Sequence, residues 1–132
     1  MIETLLIVLV IVVGWYWFEG RWDRRLFAKR EGRICENLQA PDAKAFLESH
    51  ADTQVLDVRS DAEFARGALP NATHISFGDA DFADRVSKLD KARPVLVYCA
   101  GGYRSRKAVE VLLDQNFTSI HHLHRGYMSW PR

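Results

Sequence analysis

The sequence predicts an α/β domain with a small five-stranded parallel sheet flanked by helices, preceded by one transmembrane helix. Short β-branched segments alternate with amphipathic helical segments over most of the chain, a pattern typical of parallel sheets. The run Val95–Tyr98 is apolar throughout, as expected of a strand covered on both faces. Residues 4–18 carry no charge, and they predict the transmembrane helix. The chain of 132 residues has room for one domain and an anchor.

The apolar segment is short for a membrane span. Residues 2–18, which include Glu3, number 17, or roughly 26 Å of helix, and about 17 residues is the lower limit for crossing a bilayer. A cleaved signal peptide needs a basic start and small residues at its cleavage site, whereas this start is acidic and residues 15–18 are aromatic. A buried core helix would need apolar partners on every side. We therefore expect residues 1–20 to be an anchor in the lipid bilayer.

Charge divides the chain into three blocks. Residues 1–20 carry −2, residues 21–33 carry +4 and residues 34–132 carry −1, within a formal net charge of +1. Because the positive block follows the apolar span, the positive-inside rule predicts a single-pass protein with its N-terminus outside and its domain, residues 34–132, in the cytoplasm. Residues 21–33 are then a basic juxtamembrane linker. The near-neutral total gives no basic surface for a nucleic acid partner.

Hydrophobic periodicity gives the order of elements in the domain. The predicted strands are residues 33–35, 54–58, 73–76, 95–98 and 119–123. The predicted helices are residues 41–50, 61–66, 81–91 and 103–115, with a closing turn at 127–130. Ser60 and Glu63 form a capping box at the start of the second helix, and Gly67 ends that helix.

The most informative segment is VLVYCAGGYRSRKA, residues 95–108. Ligands of open α/β sheets bind at the carboxyl ends of the strands, which is where Cys99 follows the apolar run. Gly101 and Gly102 allow a tight arc whose N–H groups point inward and hold an anion. Three cationic side chains follow: Arg104, Arg106 and Lys107. Together with the N-terminus of the next helix they favour a thiolate, so Cys99 is a candidate nucleophile rather than a buried apolar cysteine.

Three motifs in residues 32–132 make the chain resemble the rhodanese family. Residues 99–104, Cys-Ala-Gly-Gly-Tyr-Arg, with Ser105 after them, look like the family's six-residue active loop, which begins with a persulfide-forming cysteine. Residues 56–59 look like its Asp-Val-Arg signature, and residues 126–130 look like its closing Gly-x-x-x-Trp. The chain departs from the family at Ala68, where histidine is usual, and at Arg125, where glycine is usual.

The resemblance implies a rhodanese-like sulfurtransferase that needs no cofactor. Cys99 would take a sulfane sulfur from a small anionic donor such as thiosulfate, hold it as a persulfide and pass it to a thiol or cyanide-like acceptor by ping-pong catalysis. A protein could also be the sulfur acceptor. The residues that would bind the donor and the persulfide are Ala100, Gly101, Gly102, Tyr103, Arg104 and Ser105.

Two other functions stay open. A sulfur-carrier or protein-interaction module at the membrane would keep the same cysteine but show little turnover. Cysteine-dependent phosphatases resemble rhodaneses in fold but use a longer Cys-x5-Arg loop, whereas Cys99 to Arg104 is Cys-x4-Arg. The shorter loop favours a smaller anion than phosphate.

The possible supporting residues are Asp57, Arg59 and Arg106. Arg59 and Glu63 lie four positions apart, a spacing that predicts an ion pair. Cys35, in the first strand, is expected to be a buried apolar residue rather than a resolving thiol.

A histidine cluster lies in the last strand. The three residues are His121, His122 and His124. We expect strand alternation to place His122 on the opposite face from the other two. No acidic or cysteine ligand is adjacent, so we expect no metal site.

Overall fold

The computed structural model describes residues 1–132 and has the α/β architecture that the sequence predicts. The elements are α1 (Ile2–Leu26), β1 (Ile34–Leu38), α2 (Ala40–Ser49), β2 (Gln54–Asp57), α3 (Asp61–Ala65), β3 (Ala72–His74), α4 (Phe82–Val86), β4 (Val95–Tyr98), α5 (Tyr103–Asp114), β5 (Ser119–Leu123) and a closing 3₁₀ helix (Gly126–Ser129). The five strands are all parallel, in the order β1-β5-β4-β2-β3. β4 therefore lies at the centre of the sheet.

Apolar side chains cover the sheet on both faces. On one face, residues of α4 and α5 and the end of α1 pack against β2, β4 and β5 in one buried cluster. On the other face, α2 packs against alternate residues of the same strands. All four residues of β4 are buried, which is why its sequence is continuously apolar rather than alternating.

The predicted elements are confirmed, with changes at some ends. The capping box of Ser60 and Glu63 is present at the start of α3. β1 runs to Leu38, three residues beyond its predicted end, because it pairs with β5 along its whole length. α4 ends at Val86, earlier than predicted, because the following N–H groups bond three residues back, as in Leu89 N–H to Val86 O, which tightens the chain out of the α-helix.

α1 extends six residues into the segment predicted as a linker. It runs without a break from Ile2 to Leu26, so only residues 27–33 connect the helix to the sheet. Leu26, at the end of the extension, is 4% exposed in the core of the domain, and Glu19, just before the extension, is 7% exposed. The apolar side chains before residue 19 are exposed, for example Leu5 at 70% and Ile11 at 64%. α1 is therefore not a core helix, and it is long and apolar enough to cross a membrane.

Candidate active site

Cys99 begins a tight loop at the carboxyl end of β4, and its side chain is 1% exposed. The backbone turns at Gly102, whose φ of 113° is a conformation that side-chain-bearing residues rarely adopt. The turn directs the Gly102 N–H at the Cys99 sulfur, with an N···Sγ distance of 3.1 Å. α5 begins at Tyr103, so the sulfur also lies at a helix N-terminus. Both features stabilise negative charge on the sulfur.

A buried polar chain connects the Cys99 sulfur to β1. Ser105 Oγ lies 3.3 Å from Cys99 Sγ and 2.6 Å from His122 Nε2. On the other side of the imidazole ring, His122 Nδ1 lies 2.8 Å from Asn37 Oδ1. Ser105 and His122 are both fully buried, and the Ser105 hydroxyl also lies 3.2 Å from the Gly102 carbonyl oxygen.

The partners of this chain determine where its protons lie. Asn37 Nδ2 faces a carboxylate oxygen of Asp23 at 3.3 Å, so the Asn37 carbonyl oxygen must face His122. His122 then donates through Nδ1 and accepts the Ser105 hydroxyl proton at Nε2. The Ser105 oxygen can accept from the Cys99 thiol, and rotation of its hydroxyl lets it donate to a thiolate.

Ser105 was predicted as a site residue, whereas His122 and Asn37 were not. His122 lies 17 positions from Ser105 along the chain, and Asn37 lies 85 positions from His122. The only sequence signal was a polar side chain within each of two predicted strand regions, His122 in β5 and Asn37 just after the predicted end of β1.

Burial lowers the pKa of His122 well below its ordinary value, and the charges of Arg106 and His124 lower it further. His122 is therefore neutral in the fold but becomes protonated in the unfolded chain below about pH 6.5. A folded-state pKa that is lowered gives stability that is complete above the unfolded pKa and is lost as the pH falls below it.

We expect the thermal unfolding midpoint of the full chain in detergent to be at a lower temperature at about pH 5.5 than at about pH 7.5. His122→Asn keeps a hydrogen-bonding side chain but removes the titrating group, so its midpoint should fall less over the same interval. Circular dichroism at both pH values measures the two differences. An equal fall in the variant and the unchanged chain would contradict the assignment of the loss to His122.

Arg104 lies at the site, but it is already bound to a carboxylate. Its guanidinium makes two hydrogen bonds to Glu63, at 2.8 and 2.9 Å. These bonds hold the pKa of Glu63 well below its usual range. The predicted Arg59–Glu63 ion pair is therefore wrong. The Ser60 N–H donates a capping hydrogen bond to the Glu63 carboxylate at 2.9 Å. The same carboxylate is therefore held in place where it accepts the two hydrogen bonds from Arg104 of the active loop.

Arg106 does not add a free cation to the anion site. It is 1% exposed, and its guanidinium binds Asp23 at 2.6 Å and Glu19 at 3.1 Å, both on α1. Its Nη1 also donates to the Gly102 carbonyl at 3.0 Å. Arg106, predicted as a possible supporting residue, joins α1 to the active loop from within.

Asp57 and Arg59 form a buried clamp that supports the loops beside the site. The Asp57 carboxylate accepts from the Arg59 backbone N–H and guanidinium and from the Tyr98 hydroxyl. Arg59 also donates to the Gly67 carbonyl at 2.6 Å and lies 4.2 Å from the centre of the Tyr127 ring. Both residues therefore hold the α3 loop and the 3₁₀ helix against the sheet.

The closing motif packs directly against the active loop. Tyr127 N–H donates to the Cys99 carbonyl at 2.8 Å, and Met128 N–H donates to the Ala100 carbonyl at 3.1 Å. A Cβ on Gly126, whose φ is 63°, would collide with both carbonyl oxygens. Arg125 has a φ of −107°, so it needs no glycine, and its side chain binds Glu19 at 2.9 Å. This departure from the family pattern therefore serves the contact with α1.

A cavity of about 500 Å³ separates α1 from the active loop. Cys99 and Gly101 line its inner end. Aromatic rings form much of its wall: Trp15, Phe18 and Trp22 from α1 and Tyr103 from the loop. The sulfur is thus approached through a pocket shared by the domain and α1.

The prediction that His122 lies on the opposite face of β5 from both His121 and His124 is wrong. His121 packs against the Phe46 ring of α2, with ring centres 4.0 Å apart. His122 and His124 instead share the opposite side, where each bonds Asn37 at 2.8 Å. The alternation of strand side chains is obeyed, because residues two positions apart share a face.

The chain is similar to a known protein family and to proteins of other organisms. The family model described as "Rhodanese-like domain" matches residues 39–132. A sulfurtransferase of Allochromatium vinosum is 31% identical over 94 residues, which are 69% of this chain and 86% of that protein. A tRNA uridine(34) hydroxylase of Cytophaga hutchinsonii is 36% identical over 101 residues, but they are 74% of this chain and only 32% of the relative. This chain therefore spans about a third of that relative's length.

A solved structure shows the same fold. The crystal structure of a rhodanese-like domain protein from Staphylococcus aureus superposes with a TM-score of 0.65 at 29% identity, covering 73% of this chain and 91% of that one. The family match begins after β1, contains β2 to β5 and the Cys99 loop, and leaves α1 outside. The chain belongs to the rhodanese-like family.

Proposed function

We propose that the protein is a sulfurtransferase that carries sulfane sulfur on Cys99. The observation that carries the proposal is the 3.1 Å hydrogen bond from the Gly102 N–H to the Cys99 sulfur, made inside a loop at the carboxyl end of the central strand. A sulfur held in this way is suited to act as a thiolate nucleophile. The sulfurtransferase name of the A. vinosum relative supports the same reaction class.

The reaction has two steps. In the first, the Cys99 thiolate attacks the outer sulfur of a donor such as thiosulfate, the donor's S–S bond breaks and sulfite leaves with the electron pair. In the second, a thiol or cyanide attacks the outer sulfur of the Cys99 persulfide, and Cys99 leaves as a thiolate. The N–H groups of the arc from Ala100 to Ser105 hold the negative charge in both steps.

Of the two rival functions, the phosphatase fits the geometry less well. A phosphatase needs an arginine that is free to bind the phosphate. Arg104 instead forms a bidentate salt bridge with Glu63, and Arg106 is buried against α1. A sulfur carrier would have the same loop as an enzyme, and only turnover separates the two.

Purified full-length protein in detergent, supplied with thiosulfate and cyanide, tests the proposal. We expect repeated formation of thiocyanate and, without cyanide, a gain of one sulfur atom in mass on the peptide that contains Cys99. A mass gain without turnover would favour the carrier module. If neither thiocyanate nor the mass gain were observed, sulfur transfer would be rejected. Release of phosphate from a phosphotyrosine analogue would then favour the phosphatase.

We also propose that α1 anchors the domain to the cytoplasmic face of a membrane. The support is the exposed apolar surface of α1 and the basic residues that follow its apolar part. A protease added to inverted membrane vesicles should remove the domain, whereas right-side-out vesicles should protect it. Protection in the inverted vesicles would show the opposite topology.

A further inference from the structure

The cavity over Cys99 has a wall that a small inorganic anion does not require. Tyr103 of the active loop lies among the α1 rings, with ring-centre distances of 5.5 Å to Trp22 and 6.3 Å to Trp15. Phe18 continues the cluster at 5.8 Å from Trp22. Trp15 belongs to the uncharged stretch of α1. The entrance to the nucleophile is therefore continuous with the apolar part of the helix.

The charges around the same cavity are balanced. Three arginines line it, and each has a carboxylate partner within 2.9 Å: Arg104 with Glu63, Arg106 with Asp23 and Arg125 with Glu19. Three negative side chains thus offset three positive ones. The wall therefore adds no unpaired cation to the loop N–H groups that hold an anionic donor, whereas an apolar group entering it would be removed from water among aromatic rings.

We propose that this cavity binds the apolar body of the sulfur acceptor, a small thiol with an alkyl or aryl group. The apolar group would lie between Trp15, Phe18 and Tyr103, with its sulfur directed at Cys99. A volume of about 500 Å³ is within the usual range of small-molecule sites, about 300–1,000 Å³. This inference rests on the proposed sulfur transfer and identifies its acceptor.

The transfer to such a thiol is balanced without any further reagent. The acceptor loses its thiol proton to water, and its thiolate attacks the outer sulfur of the Cys99 persulfide. The persulfide S–S bond breaks, Cys99 leaves as a thiolate and the product is an alkyl or aryl persulfide. Nothing is oxidised or reduced overall, because the sulfane sulfur only changes its partner.

A series of acceptors tests the proposal with the full chain in detergent and thiosulfate as donor. The series is 2-mercaptoethanol, propanethiol, butanethiol and hexanethiol. We expect kcat/KM to rise along the alkanethiols, by up to about fourfold for each added methylene that enters the cavity. Trp15→Ala should flatten that rise, because it removes one wall of the cavity.

Trp17→Ala is the matched control. Trp17 is 64% exposed, contacts Arg21 and lies outside the cavity wall, so this variant should keep the full rise. Transfer of thiols into the micelle would steepen the series in every variant alike, so the diagnostic is the difference between the two tryptophan variants. Equal slopes in both, with thiocyanate still formed from cyanide, would overturn this inference alone. If the unchanged chain gave neither thiocyanate nor added sulfur on Cys99, the proposed function would be rejected instead.

Discussion

Cys99→Ser is expected to abolish sulfur transfer, lowering the rate of thiocyanate formation by at least about a thousandfold, because covalent catalysis then has no nucleophile. A serine oxygen can still accept the Gly102 N–H, which lies 3.1 Å from the sulfur in the present structure. The fold should therefore survive, and the loss should be chemical. Mass spectrometry after thiosulfate treatment should find no added sulfur on the peptide that contains residue 99.

Cys35→Ser is the control for that result. Cys35 is half-buried, and burial raises the pKa of its thiol to about 11, so little thiolate forms there at neutral pH. Its sulfur faces the Leu26 carbonyl at 3.6 Å, and a serine hydroxyl can make the same contact. We expect turnover within about twofold of the unchanged chain. A comparable loss in both variants, or sulfur found on Cys35, would contradict the assignment of the nucleophile.

The sheet could be predicted because its signals are local. The segment Val95–Tyr98 is apolar at every position, and only a central strand between two helical layers needs that pattern. The capping box at Ser60 likewise involves neighbours three positions apart. The position of Cys99 followed from the same reasoning, because a parallel strand presents its carboxyl end to a ligand.

The partners of the charged residues could not be predicted in the same way. Spacing alone paired Arg59 with Glu63, but a buried carboxylate, Asp57, competes more strongly for Arg59. Glu63 was then available to Arg104, 41 positions away. Such choices depend on which groups the fold removes from water, and sequence spacing does not report that.

The contacts of α1 with the active loop were also not predicted from the sequence. Hydropathy predicts where an apolar span ends, and it placed a linker after residue 20. The helix continues because the residues beyond that point contact the domain: Asp23 binds Arg106 and Leu26 enters the core. A signal existed in Glu19 and Asp23, two acids four positions apart on one side of the helix. Their partners were visible only in the fold.

Arg106→Met is expected to have the largest effect on stability, because it leaves Asp23 of α1 without its charged partner and leaves Glu19 with Arg125 alone. The side chain of Asp23 is 21% exposed and that of Glu19 is 10% exposed, whereas the side chain of Arg106 is 2% exposed. Removing one member of a buried ion pair costs about 3–5 kcal/mol. The active loop should loosen as well, since the Gly102 carbonyl loses the Arg106 donor at 3.0 Å. We expect the thermal midpoint of the full chain to fall by more than about 10 °C.

A second substitution separates loss of charge balance from loss of packing. In Arg106→Met with Asp23→Asn, the unpaired carboxylate is gone, Glu19 keeps Arg125 at 2.9 Å, and the amide introduced at position 23 can still bond Asn37. The double variant should therefore recover more than about half of the lost stability, a departure from additivity that shows the two residues interact.

Lys88→Met, which breaks an exposed pair with Asp84 at 3.8 Å, should change stability by less than about 0.5 kcal/mol. Hydrogen exchange of residues 19–26 should quicken in Arg106→Met and slow again in the double variant, because these amides are protected only while α1 is docked. If the double variant were no more stable than Arg106→Met, the buried charges would not be what holds α1 to the active loop.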